Sequence, residues 1–275
     1  MKIHESIQEK CQFFPPEEMR PKVRALLQQK GFWDDWDKVY EVFRYYWHVQ
    51  DKANLISRIT RCIMDTAREL QSIEVLDVGA GDGEVIRDIM ELLLTETKRL
   101  SMLDIIEPSS SKRDIATRIL PHREYGGCLR GAFQTMDGVT GRSYDAIVLN
   151  NVIYHLEPLE DSIPHLFNNL RKGGSLIILH INNNFDYEPI IRGIGEKQGV
   201  SLDIATHTVP LRVFLGMGEV IYDANMINMF KRFYGQAAQL CSNPLSDDEF
   251  SALLKQCSED GFFDHEHRLI TARKT

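Results

Sequence analysis

The chain has 275 residues, 43% of them hydrophobic and 26% charged, the balance of a globular protein whose core needs no disulfide staples. Its net charge of −8, from 40 acids against 32 bases, argues against a nucleic-acid partner, whose phosphates require a basic face. Five cysteines without CxxC spacing argue against a disulfide framework or a zinc site. No apolar run approaches the eighteen or so residues of a membrane span, and the opening MKIHESIQEK lacks the apolar core of a signal peptide. The reading is of a cytoplasmic protein without a membrane partner, monomeric or weakly dimeric.

Residues 1–70 read as helices only. PPEEMRPKVRALLQQKG carries prolines at its start and Gly31 at its end, which are start and stop signals. WDDWDKVYEVFRYYWHV repeats Trp33, Trp36, Tyr40, Phe43 and Trp47 in steps of three and four, a broad apolar stripe on a helix. Residues 52–70 continue as another helix. The period then changes. SIEVLDV reads as a strand, EVIRDIMELLL as a helix, LSMLDIIEP as a strand and SSSKRDIATRIL as a helix capped by serine. YDAIVLNNV is a strand, LEPLEDSIPHLFNNLRKGG a helix ending at Gly-Gly, and SLIILHI a strand. A helix near 186–198, a strand near 200–208, helices at 224–238 and 246–258, and a last strand HRLITARK complete the reading. Alternating strands and helices make βαβ units with a parallel sheet. The domains expected are a helical cap over 1–70 that contributes to the substrate site, and an α/β domain over 71–275 with a helical insertion near 210–258.

VLDVGAGDGE places Gly79, Gly81 and Gly83 where the first strand stops. In an open parallel sheet this loop lies at the carboxyl ends of the strands, where ligands bind. A phosphate cradle would need Lys-Ser or Lys-Thr after the glycines, where this chain has Glu84-Val85. A dinucleotide loop would place its third glycine where Glu84 stands. Asp77, Asp82 and Glu84 would repel a pyrophosphate and suit a ligand with cationic groups.

LDVGAGDG, with Glu107 closing LDIIEPS, GRSYDAIVLNNVIYHL and the turn LRKGGSLIIL together resemble the motifs of the class I S-adenosylmethionine-dependent methyltransferases. The resemblance implies a Rossmann-like α/β fold: a mostly parallel seven-stranded sheet with helices on both faces, and the N-terminal helical cap. It implies S-adenosyl-L-methionine as cofactor, held by Asp77, Gly79, Ala80, Gly81, Asp82, Glu107, Pro108, Ala132, Phe133, Asn150 and Asn151. The Glu107 carboxylate would accept from the ribose hydroxyls. The order VFRYYWHV, glycine loop, IIEPS and NNVIYHL is similar to the histamine N-methyltransferases. That likeness implies a small-molecule methyl acceptor, an amine nitrogen, contacted by Tyr46, Trp47, Asp51 and Glu266, with His155 and Tyr154 as catalytic residues. Methylation of oxygen or sulfur, or a non-catalytic cofactor-binding role, are the alternatives. HEH at 265–267 lacks HExxH spacing, so no metal is expected.

Overall fold

The computed structural model describes residues 48–49, 52–120, 127–156, 158–181, 186–214 and 262–275, and the chain divides into two compact units. The smaller comprises Met1–Ala53, Asn182–Phe185 and Pro210–Glu266. Within it, strand β1 (His48–Val49) pairs antiparallel with Val213 and Phe214.

The larger unit comprises Asn54–Ile181, Asp186–Val209 and His267–Thr275. Its elements, in chain order, are α1 (Lys52–Thr66), β2 (Ser72–Val78), α2 (Glu84–Thr97), β3 (Leu100–Ile106), α3 (Ser110–Ile119), β4 (Gly127–Phe133), β5 (Tyr144–Asn150), α4 (Leu159–Asn168), β6 (Leu170–Ile181), α5 (Tyr187–Lys197), β7 (Leu202–Phe214) and β8 (Phe262–Lys274). Helix α1 enters this unit, and β7 and β8 are shared between the two. The strands lie in the order β7-β8-β6-β5-β2-β3-β4. From β6 to β4 all neighbours are parallel, while β8 runs antiparallel to β6. The result is a mostly parallel, seven-stranded, Rossmann-like sheet.

The sequence explains the layering. Val75, Leu76 and Val78 of β2 and Ala146 to Leu149 of β5 are all buried, as continuous apolar runs are when helices cover both faces. Helix α2 buries Ile86, Ile89, Met90 and Leu93, one stripe at helical spacing. Each such side chain contributes about 1.5–3 kcal/mol on leaving water. The chain leaves β2 toward β3 and β4, then returns to β5 on the other side of β2. The order therefore reverses between β2 and β5, and the crevice at their carboxyl ends is where such sheets bind ligands.

Charged side chains cross-link five strands. Asp104 on β3, fully buried, accepts from Arg130 Nε and Nη2 at 3.0 and 2.6 Å, from Arg142 Nη1, and from the Tyr144 hydroxyl at 2.7 Å. Burial alone would raise its pKa, but these hydrogen bonds hold it below the ordinary carboxylate value. Glu74 on β2 bridges Arg130 and Arg171, and Arg171 also holds Asp145.

Five readings from the sequence are corrected. The segment GCLRGAF, not read as a strand, forms β4, with a register shift beside Leu103 and Asp104. Helix α4 stops at Asn168, capped by Asn169 rather than by Gly-Gly. The residues after it join β6, where pairing jumps from Tyr144↔Leu170 to Ala146↔Ser175 and Gly173 takes the left-handed turn at φ 82°. Strands β7 and β8 are longer than 200–208 and 267–274, so 210–214 is strand rather than helical insertion. His48 and Val49 are strand rather than the end of the tryptophan-striped helix, and α1 ends at Thr66 rather than near 70. The rest of the 1–47 helices and the helices at 224–238 and 246–258 lie outside the described residues.

Candidate active site

The turn between β2 and α2 holds three glycines on left-handed backbone, at φ 74°, 58° and 83° for Gly79, Gly81 and Gly83. Each is there for a different reason. A Cβ on Gly79 would stand 2.5 Å from Val152 Cγ2, so this glycine lets the turn press against the segment leaving β5. A Cβ on Gly83 would meet Ala116 Cβ at 3.0 Å, so this one seats α2 against α3. A Cβ on Gly81 would meet nothing within 4 Å. Packing does not explain it; its bare backbone borders open space.

The turn is tied to the end of β3. Gly79 and Ala80 donate their N–H groups to the Ile106 carbonyl at 2.7 and 3.2 Å. Gly81 N–H donates to Glu107 Oε2 at 2.8 Å, and Ser109 N–H to Glu107 Oε1 at 2.9 Å. The N–H of Glu107 donates in turn to the Phe133 carbonyl at 2.9 Å. Glu107 is only 7% exposed. Asp77, on the adjacent strand, is 5% exposed. Burial, and then the charge of Glu107, push its pKa up to about 7. Asp82 accepts from Glu84 N–H at 3.3 Å.

On the other side of β2, Asn150 ends β5 and Asn151 follows at φ 55°, a left-handed conformation costly for a non-glycine residue. It is held by its N–H on the Leu179 carbonyl at 2.8 Å. Its amide nitrogen donates to Asn150 Oδ1 at 3.3 Å, while its own Oδ1 is buried with no hydrogen-bond partner. A one-turn 3-10 helix, Ile153–His155, comes next. His155 is exposed, yet the protein around its ring pushes its pKa down, and Lys112 adds to the effect.

The sequence-predicted residues Asp77, Gly79, Ala80, Gly81 and Glu107 thus converge, with Asn151 next to Val152, the residue packed on Gly79. Pro108 is exposed and Ala132 half-buried. The Phe133 ring lies under Arg142, at 4.7 Å, and against Gly138. The side chains of Tyr46, Trp47, Asp51, Tyr154 and Glu266 lie outside the described residues. Sequence reasoning missed Ser109 and Val152; the first was legible only as a helix cap, and the second as one more strand residue. Among the described residues no group of His, Cys, Asp or Glu is arranged to hold a metal ion, and no helix is long and apolar enough to cross a membrane.

A family model described as a methyltransferase domain matches residues 46–256. A hybrid PKS-NRPS synthetase of a Fusarium species is 29% identical over 140 residues, 48% of this chain and 3% of that protein. Trichosetin synthetase of Gibberella fujikuroi is 30% identical over 127 residues, 43% of this chain and 3% of that protein. The chain thus spans only a small part of the curated relatives it matches. Among solved structures, the YcgJ protein of Bacillus subtilis has a TM-score of 0.49 at 12% identity, covering 80% of this chain and 99% of that one. Magnesium protoporphyrin IX methyltransferase of Synechocystis, solved with bound SAM, has a TM-score of 0.46 at 14% identity, covering 80% and 79%. With a family match running through more than half of its length, the chain belongs to the methyltransferase-domain family.

Proposed function

We propose that the enzyme methylates a small molecule at an amine nitrogen, with the cofactor over the glycine turn and the acceptor beyond Asn151. The observation that carries the acceptor reading is the Asn151 side-chain oxygen, buried and unpaired at the end of β5. Such an acceptor costs about 1–3 kcal/mol until a donor meets it, and an amine brings that donor. The acids of the glycine turn and the strand end beneath it, Asp77, Asp82, Glu84 and Glu107, favour a ligand that carries positive charge.

The residues fit S-adenosylmethionine on three counts. Gly81 leaves open space above its backbone. Each Glu107 oxygen takes one backbone N–H and keeps a lone pair for a ribose hydroxyl. Asp77 offers a carboxyl to the ammonium of the methionyl end. Gly79, Ala80 and Asp82 complete the turn, Asn150 stands beside Asn151, and Pro108, Ala132 and Phe133 would border the base. When bound, the cofactor supplies a methyl group already activated on a sulfonium. The chain's own task is then to align the nucleophile and exclude water. His155, its pKa below the usual histidine value, is neutral near pH 7 and accepts the proton that an ammonium acceptor must lose.

The test is a methyl-transfer assay over a panel of small amines, histamine included, with matched alcohols and thiols, read by S-adenosylhomocysteine formation. Turnover confined to alcohols or thiols would reject the amine. The matches to PKS-NRPS synthetases favour a second reading, in which the acceptor is an intermediate of that kind of synthesis.

A further inference from the structure

Two carboxyls lie beneath the glycine turn with unequal partners. Glu107 is held by the N–H groups of Gly81 and Ser109, the partners a carboxylate anion needs. Asp77, as deeply buried, receives no hydrogen bond from any of the described residues, and the charge that acts on it is that of Glu107. Its own loop adds Asp82 and Glu84, further negative charges. The neighbouring stretches, Ile105 and Ile106 of β3 and Ala146–Asn150 of β5, carry no ionisable side chain. Lys112 on α3 acts on His155. A buried carboxyl without a partner, set beside a second carboxyl, keeps its proton to higher pH. That carboxyl is Asp77.

We propose that loading the cofactor drives this proton off Asp77 into solvent, because the cationic end of the ligand supplies a partner that none of the described residues gives it. Cofactor affinity is then set by pH through one residue. The inference rests on the placement of the cofactor proposed above. With the Asp77 pKa at about 7, the ionised, binding-competent form is about a tenth of the apoprotein at pH 6 and most of it at pH 8, so the dissociation constant tightens by about tenfold across that range.

The experiment is calorimetric titration of the full chain with S-adenosylhomocysteine, which has the same amino-acid end. It is run at pH 6 and pH 8 in pairs of buffers with different ionisation enthalpies. The expected result is release of close to one proton per ligand at pH 6 and almost none at pH 8, and loss of both the release and the pH dependence in Asp77→Asn. Should that variant fail to fold, the wild-type buffer comparison decides alone. Binding with buffer-independent heat at pH 6 overturns proton coupling and leaves the cofactor site standing. No binding at either pH overturns the cofactor site and this inference with it.

Discussion

Gly79→Ala and Gly81→Ala add the same methyl group to the same kind of left-handed backbone, two residues apart, and their consequences should differ in kind. The conformational penalty, about 1–2 kcal/mol, is common to both. At Gly79 the new carbon would stand 2.5 Å from Val152 Cγ2 and 3.0 Å from its Cβ, whereas at Gly81 nothing lies within 4 Å. Val152 leads directly into the Ile153–His155 turn, so it cannot move without moving that turn. Overpacking there adds about 1–3 kcal/mol, giving a total of about 2–5 kcal/mol for Gly79→Ala against about 1–2 kcal/mol for Gly81→Ala. Urea denaturation measures both. Calorimetry with S-adenosylhomocysteine should show the reverse order of harm: Gly81→Ala folds but loses at least about tenfold in affinity, equal to about 1.4 kcal/mol, because its methyl occupies the ligand's space. Equal losses of stability would refute the packing role of Gly79. Unchanged affinity in a folded Gly81→Ala would refute the placement of the ligand.

Glu107→Gln removes charged hydrogen bonds worth about 1.5–3 kcal/mol, so cofactor affinity should fall about ten- to a hundredfold by calorimetry. Asp104→Asn removes the buried carboxylate shared by Arg130, Arg142 and the Tyr144 hydroxyl, and because both guanidinium groups are part-exposed it should cost about 1.5–3 kcal/mol in denaturant unfolding with unchanged cofactor affinity. The Asp104 pKa is depressed in the fold, so its contribution is present above the ordinary value of 3.8 and is lost as pH falls through the lower folded value; the variant's deficit should shrink in acid. Asp77 has the opposite sign. Its raised pKa makes the folded state lose stability as pH climbs from 3.8 to about 7, so Asp77→Asn should be the more stable protein above neutrality by thermal melting. His155→Ala should lower kcat by about 10²–10⁴-fold with cofactor affinity retained, and should abolish an acid limb lying below pH 6.5 in the wild-type rate profile.

What the sequence revealed follows from where the forces are local. SIEVLDV and YDAIVLN are apolar because helices cover both faces, and that pattern needs no tertiary knowledge. The glycine loop announced itself because left-handed backbone needs glycine, but its three separate reasons appear only when Val152 and Ala116, distant in sequence, come into contact. GCLRGAF escaped notice because it ends the sheet, and its glycines and Arg130 answer to tertiary partners. Gly131 sits beside the Asp104 carboxylate, and Arg130 pairs with Asp104 and Glu74. Gly-Gly at 173–174 looked like a helix cap because its chemistry suits a left-handed turn wherever one occurs; here the turn lies within a register shift of β6. The charged staple was invisible, since its members lie on separate strands and no spacing links them. Asn151 was legible as a polar residue ending a buried strand, while its strained backbone and unpaired oxygen were not.

The crystal structure of the complex with S-adenosylhomocysteine tests the central claim most directly. The account predicts the ligand crossing Gly81 with its ribose hydroxyls on the Glu107 carboxylate, its ammonium at Asp77 and its sulfur facing the Asn151 side of the crevice. A ligand seated elsewhere on the chain, or one whose ribose lies away from Glu107, would contradict it.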